Sequence, residues 1–109
     1  MELRHLRYFI AVASNLSLSE ASRRLHVAQP AISQTILDLE NELGAKLLSR
    51  NSRGVELTAA GDAFLAEAKA VMLRVDGARI VAQRASKGEI GCLRVEFLPC
   101  AAGPFIPAL

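Results

Sequence analysis

The longest regular pattern in the sequence runs through residues 59–87, which contain no proline. Small and apolar side chains recur there at alternating spacings of four and three residues, the heptad pattern of helices that pack along their length. At 1.5 Å per residue the pattern predicts a helix about 40 Å long, which is longer than a small helical domain can cover. The positions that form the pattern are Phe64, Ala68, Val71, Val75, Ala78, Ala82 and Ala85.

The apolar face of so long a helix needs a partner, because a helix in water is stabilised mainly by packing. The simplest partner is the same helix of a second copy of the chain, which predicts a homodimer. The alternative is packing within the chain against residues 89–109. The dimerisation residues predicted in this way are Phe64, Ala68, Val71, Val75, Ala78 and Ala82.

The composition is that of a folded, mainly α domain. The chain has 109 residues, near the usual size of one domain, and its 51% hydrophobic and 22% charged residues argue against disorder. The net charge is only +2 and no block of basic residues occurs. Composition alone therefore does not indicate an anionic partner.

Residue types that carry catalysis or bind metals show no recognisable arrangement in the sequence. Cys92 and Cys100 have no ligand spacing to His5 or His26, and we interpret them as reduced thiols. There is no nucleophile–base pair and no phosphate-binding glycine loop, so we expect no catalytic residue, metal or cofactor. The first residues lack the apolar run of an export signal and no segment resembles a membrane span, which favours the cytoplasm.

A second amphipathic pattern covers residues 29–43. Its apolar stripe consists of Ile32, Ile36, Leu39 and Leu43. The opposite face carries the uncharged side chains of Pro30, Ser33, Gln34 and Asn41, which is unusual for a solvent-facing surface and indicates a binding face. Pro30 suits the first helical turn, and Gly44 suits the position that ends a helix.

A shorter helix is predicted immediately before this one. Ser17 and Glu20 have the spacing of a capping box, which predicts a helix from about Leu18 to Leu25. The residues His26–Ala28 then form a tight connection. A short helix, a turn and a longer helix make a helix-turn-helix arrangement.

A β-hairpin is predicted to follow the second of these helices. Residues 45–50 and 55–58 are two short extended segments on either side of Asn51–Gly54, where the glycine permits a turn. A hairpin in this position is a wing. Arg50 and Arg53 near its tip can contact phosphates or enter a narrow minor groove, or they serve only solubility.

These patterns divide the chain into three parts. Residues 1–58 form a winged helix-turn-helix domain that begins with an amphipathic helix over residues 2–15. Residues 59–88 form the long linker helix. Residues 89–109 contain a glycine-bearing hinge and one strand pattern at 92–98, which we interpret as the truncated start of a second domain.

The arrangement predicts sequence-specific binding of double-stranded DNA, because the second helix of a helix-turn-helix enters the major groove. There glutamine can pair with adenine, serine can donate or accept, and proline can pack on a thymine methyl. Arg23 and Arg24 on the short helix would contact phosphates or remain solvated. The rival hypothesis is a dimerisation or protein-interaction module whose winged helix no longer binds DNA.

Residues 1–88 resemble the N-terminal portion of a LysR-type transcriptional regulator. The matching residues are Leu6 and Phe9; Ser17, Ser19, Ala21 and Leu25; Gln29–Ser33; Ile36, Leu39, Glu40, Leu43 and Gly44; Leu47 and Arg50; and Leu57, Thr58, Ala60 and Gly61. The segment from Gly91 to Val95 is also similar to the first strand of the effector-binding domain in that family.

The resemblance implies a role for individual residues. Base contacts would come from Gln29, Pro30, Ser33 and Gln34, with Arg53 of the wing in the minor groove. Contacts that position the DNA backbone would come from Ser17, Ser19, Thr35 and Arg50. Two departures matter, because Ala28 replaces a customary Ser or Thr cap and Leu48 replaces a common Phe.

The resemblance also implies an assembly. A bacterial cytoplasmic regulator of this type pairs its linker helices antiparallel, so two copies would read an inverted-repeat operator, and a full-length form would assemble as a tetramer. A small-molecule inducer is expected only if an effector-binding domain is present. Apart from its first strand, that domain is not contained in these 109 residues.

Overall fold

The computed structural model describes residues 1–88 and confirms a mainly helical fold with a two-stranded wing. The elements are α1 (Leu3–Asn15), α2 (Leu18–Leu25), α3 (Gln29–Leu43), β1 (Leu48–Asn51), β2 (Gly54–Leu57) and α4 (Ala59–Ser86). The hinge and the strand predicted beyond residue 88 lie outside the described residues. The chain divides into two compact units, Met1–Leu73 and a second that begins at Arg74.

The core of the first unit lies where α1, α2 and α3 pack against one another. One cluster of buried side chains joins Val12 of α1 to Ala21 of α2 and Ile32 of α3. A second joins Phe9 of α1 to Leu39 of α3 and to Leu47, just before β1. The apolar stripe predicted for α3 is therefore its anchor to the domain, although Leu43 at the end of the stripe is 38% exposed.

The ends of α2 and α3 agree with the sequence interpretation in most respects. Ser17 caps α2, since its Oγ accepts a hydrogen bond from the amide of Glu20 at 3.1 Å. Only half of the predicted capping box forms, because the Glu20 carboxylate accepts hydrogen bonds from Arg23 and Arg24. Gly44 ends α3 in the left-handed conformation, with φ of 69°.

The wing is an antiparallel hairpin with a two-residue tip. Leu48 pairs with Leu57 at its base, and Asn51 pairs with Gly54 at its end. Gly54 has φ of 127°, a conformation that residues with a side chain rarely adopt. The Asn51 side chain accepts a hydrogen bond from the Arg53 amide at 2.8 Å and so helps to hold the turn.

The first turns of α4 belong to the core of the winged domain. Thr58 caps the helix by accepting a hydrogen bond from the Gly61 amide at 3.0 Å. The Phe64 ring packs on Phe9 with ring centroids 5.6 Å apart, and Ala68 is only 1% exposed.

These placements show how much of the predicted dimerisation face is covered in a single copy. Ala68 is already covered within a single copy, and Phe64 is half-buried against the core. The side chain of Ala68 is therefore covered before any second copy binds, whereas a contact from the exposed part of Phe64 to a second copy stays a prediction.

The later predicted dimerisation positions are more accessible. Val71 is 42% exposed, Val75 is half-buried, and Ala78 and Ala82 are exposed. Three large apolar side chains that the heptad pattern did not include are also exposed, namely Leu73, Ile80 and Val81. Within residues 1–88, no helix combines the length and apolar character that a membrane crossing requires.

Candidate nucleic-acid interface

A groove of about 720 Å³ separates α3 from the wing. One wall is formed by the outer face of α3, including Pro30, Ser33 and Gln34, and the other by the wing, including Ser49 and Arg50. Its floor is apolar, with Leu37 and Leu48 among the lining residues. The structure thus brings the predicted binding face of α3 and the base of the predicted wing to a single concave surface.

The first turn of α3 forms part of the wall that this helix contributes to the groove. Gln29 and Pro30 occupy its first turn and are exposed. The residue that precedes them, Ala28, forms no side-chain hydrogen bond to the helix end. The first turn therefore lies open at the surface, with Gln29 on the helix end and Pro30 lining the groove.

The two walls are held together by a buried carboxylate that the sequence interpretation did not assign. Glu40 of α3 is 8% exposed, and its Oε2 accepts hydrogen bonds from the amides of Leu47 at 2.8 Å and Leu48 at 3.2 Å. Lys46 Nζ lies 3.9 Å from the other carboxylate oxygen. These two hydrogen bonds to one carboxylate oxygen fix where β1 starts relative to α3.

The sequence did contain a signal for this role. Glu40 follows Ile36 by four residues and adjoins Leu39, so it lies within the apolar stripe of α3. A carboxylate is buried only where hydrogen-bond donors meet it. Glu40 was named only as part of the family resemblance, and its contact with the wing was not predicted.

The two walls also meet at the surface of the groove. Arg50 of β1 donates a hydrogen bond from its guanidinium to Ser33 Oγ at 3.1 Å. Both residues were predicted DNA contacts, one to the backbone and one to a base. Arginine has no acceptor atom, so the Ser33 hydroxyl proton is not used in this contact.

A second surface pair lies one turn along α3. Gln34 donates a hydrogen bond from Nε2 to Asp38 Oδ1 at 2.9 Å. Both side chains are exposed. Asp38 is the nearest acidic residue, in sequence, to the predicted base contacts of α3.

Thr35 is the one predicted DNA contact whose side chain is buried. Its side chain is 9% exposed, and its hydroxyl donates to the carbonyl of Ala31 at 2.8 Å within α3. In the protein alone Thr35 therefore contributes to helix packing.

The remaining predicted contacts are not among the residues that line the groove. Ser17 and Ser19 meet at the start of α2, with their Oγ atoms 3.1 Å apart. Arg53 is exposed at the wing tip.

The outer face of α2 carries a compact charge cluster. Glu20 forms ion pairs with Arg23 and Arg24, both of which are well exposed. The hydrogen bond from Arg23 and, next, that from Arg24 hold the pKa of the Glu20 carboxyl below its ordinary value. Glu20 is therefore ionised at neutral pH and offsets one of the two positive charges of Arg23 and Arg24.

No group of three His, Cys, Asp or Glu side chains in the described part of the chain could hold a metal ion. The polar side chains that line the groove are uncharged hydrogen-bonding groups together with Lys46, Arg50 and Glu40. Its one buried acid, Glu40, is already engaged by two amides. Such a surface suits an anionic ligand with a patterned polar edge.

Comparison with known proteins supports the family resemblance that was seen in the sequence. A family model for bacterial regulatory helix-turn-helix proteins of the lysR family matches residues 3–62. The chain is 49% identical over 109 residues to a protein of Escherichia coli strain K12 described as an uncharacterised HTH-type transcriptional regulator, YnfL. That match covers 100% of this chain and 36% of YnfL, so the chain spans about a third of the length of this relative.

Solved structures of related proteins share the fold. The crystal structure of CbnR, a LysR family transcriptional regulator, superposes with a TM-score of 0.79 at 44% identity over 81% of this chain and 30% of that one. The DBD of BenM, in its complex with catB site 1 DNA, gives a TM-score of 0.77 at 43% identity over 79% of this chain and 97% of that one. With the family match covering more than half of its residues, the chain belongs to the lysR family of bacterial regulatory helix-turn-helix proteins.

Proposed function

We propose that this chain binds double-stranded DNA in a sequence-specific manner and regulates transcription, with no catalytic step. The observation that carries the proposal is the groove between α3 and the wing, which combines short uncharged side chains on the helix with arginine on the hairpin. The match to the BenM DBD, which was solved with DNA, supports the same function. The major groove admits one helix, and its base edges offer partners for such side chains.

The proposed contacts fall into two classes. Gln29, Pro30, Ser33 and Gln34 would contact base edges, because they are the short polar and apolar side chains on the outer face of α3. Arg53 would enter the adjacent minor groove from the wing tip. Ser17, Ser19 and Arg50 would contact the DNA backbone and set the register of the protein on the duplex. Thr35 is also proposed as a backbone contact, which would require its buried side chain to become accessible when DNA binds.

The proposed assembly is a homodimer formed through α4, which would place two recognition helices on an inverted-repeat operator. The later part of α4 supports this, because Val71 and Ala78 follow the heptad pattern and are exposed in a single copy. For a longer, full-length protein we propose a cytoplasmic tetramer that responds to a small-molecule inducer through a separate effector-binding domain.

The first test is a titration of the chain against duplexes that carry candidate inverted repeats, at salt concentrations from about 50 to 200 mM. A protein that contacts six or more phosphates loses roughly 10³-fold or more in affinity over this range. A flat response to salt, or no binding, would instead favour the rival function, a protein-interaction module.

The same titration can assign the base contacts. Replacement of Gln29 or Ser33 by alanine should reduce the preference for the best sequence by roughly 1–3 kcal/mol where the lost contact reads a base. Arg53→Ala should weaken binding mainly at sites with A·T-rich flanks, where the minor groove is narrow. Equal losses on all sequences for Gln29→Ala would contradict its proposed role.

A further inference from the structure

We propose that Asp38 is a specificity-determining positioning residue: it orients the side-chain amide of Gln34 so that the amide oxygen faces the base edge. The proposal rests on the proposed DNA-binding function and adds to it the chemistry of one contact. Asp38 would not touch the base, but would act through Gln34.

The geometry of the pair fixes which end of the amide is free. Gln34 Nε2 lies 2.9 Å from Asp38 Oδ1, and the two residues are one helical turn apart. An ionised carboxylate can only accept hydrogen bonds, so the group of Gln34 that faces it must be the NH₂ group. The Gln34 amide is planar, and its oxygen therefore points away from Asp38.

An amide oxygen in this position selects bases by their amino groups. In the major groove it can accept from adenine N6 or cytosine N4, whereas thymine O4 and guanine O6 are acceptors and would repel it. When DNA displaces water from the groove, the hydrogen bond to Asp38 strengthens because the local dielectric falls. A reversal of the amide would then leave two oxygens facing each other.

Ser33, which precedes Gln34 in the chain, has a free hydrogen-bond donor where Gln34 has a free acceptor. Ser33 Oγ accepts a hydrogen bond from Arg50 at 3.1 Å, which leaves its hydroxyl proton free to donate to a base acceptor. Adjacent residues on α3 would thus present an acceptor and a donor, each set by a different partner. The base preference that depends on Ser33 should therefore be independent of Asp38, and this provides an internal control.

The experiment is a competitive selection from a library of duplexes with randomised positions, carried out with the parent chain and four variants. Gln34→Ala identifies the base-pair position that Gln34 reads. At that position we expect the parent to favour one base pair by about fivefold or more and Asp38→Ala to reduce the ratio to about twofold or less. Asp38→Asn should also reduce the ratio, because the asparagine amide can either accept from or donate to Gln34 and no longer fixes which end of that amide faces the base.

Glu42→Ala is the matched control for charge. It also removes one acidic side chain from α3, but Glu42 pairs with the N-terminal amine and not with a groove residue. This variant should leave all base ratios unchanged, and Asp38→Ala should leave the ratio at the Ser33-dependent position unchanged.

A substitution in the DNA tests the atom involved. Removal of the amino group of the contacted base, by purine in place of adenine or 2-pyrimidinone in place of cytosine, should weaken the parent several-fold and Asp38→Ala much less. The proposal is overturned if Asp38→Ala or Asp38→Asn keeps the full parent ratio. It is also overturned if Gln34→Ala changes no base ratio, or if removal of the amino group affects the parent and Asp38→Ala equally. If the parent itself selects no sequence, the DNA-binding function fails first.

Discussion

At the scale of single residues, Gly61 has the least space of the glycines in the described residues. A Cβ built on it would lie 2.0 Å from the Leu47 carbonyl oxygen and 3.1 Å from a methyl group of Leu57. The start of α4 therefore lies directly against the backbone that leads into β1. Only glycine allows this approach, which explains a residue that otherwise lowers helix stability.

We predict that Gly61→Ala destabilises the chain by about 1–3 kcal/mol, because the helix must shift away from the Leu47 carbonyl. The matched control is Gly77→Ala in the same helix, where a Cβ meets nothing within 4 Å. That change should be neutral or stabilise by up to about 1 kcal/mol through helix propensity. Urea unfolding of the two variants measures both values, and similar effects of the two substitutions would contradict the predicted clash.

A second residue-scale prediction concerns Glu40. Glu40→Ala removes the acceptor of two amides, those of Leu47 and Leu48, and should cost about 1–3 kcal/mol per amide that water cannot reach. Glu40→Gln keeps an acceptor oxygen and should cost less. The control is Glu42→Ala, which breaks only an exposed ion pair and should change stability by at most about 1 kcal/mol.

At the scale of elements, local chemistry determined what could be predicted. The bounds of α2 and α3 followed from Ser17, Pro30 and Gly44, since caps and breakers act on their own neighbours. The heptad pattern of α4 was also correct as a helix, but periodicity shows only that a face is covered. It does not show whether the winged domain or a second copy covers it, so the burial of Ala68 and the packing of Phe64 on Phe9 within a single copy could not be predicted.

The candidate DNA-binding groove could also be predicted only in part. The outer face of α3 follows from amphipathic periodicity, and Ser33, Gln34 and Arg50 do lie at one groove. The contacts of Glu40 with the wing and the burial of Thr35 depend on how two distant segments meet. A single sequence does not encode such contacts in its spacing.

The helix ends provide an element-scale prediction. Ser17→Ala should lower stability by about 1 kcal/mol, because the Glu20 amide loses its cap. Ala28→Ser should raise stability by a similar amount, because α3 has no side-chain cap at its start. Thermal or urea unfolding measures both. Ala28→Val, which adds no oxygen, is the control, and an equal gain from it would argue against capping as the cause.

At the scale of the whole molecule, the proposed dimer requires the part of α4 that the winged domain leaves exposed. We predict that Val75→Asp yields monomers at micromolar concentration, since a charge in an apolar interface is costly. The matched control is Leu73→Asp, because a residue two positions away lies about 200° around the helix. Light scattering measures the masses. A dimer that persists in Val75→Asp but is lost in Leu73→Asp would place the interface on the other face.

The attachment of β1 to α3 by Glu40 has a consequence for changes in chain length. Only a few residues connect Gly44 to Leu47, and both ends of this connection are fixed, so an insertion or deletion there would move the wing relative to the helix. Ser52 and Arg53 at the wing tip make no strand pair and are exposed. The wing can therefore become longer or shorter at its tip without a change in the width of the groove. Related proteins could in this way differ in how far the wing extends toward DNA.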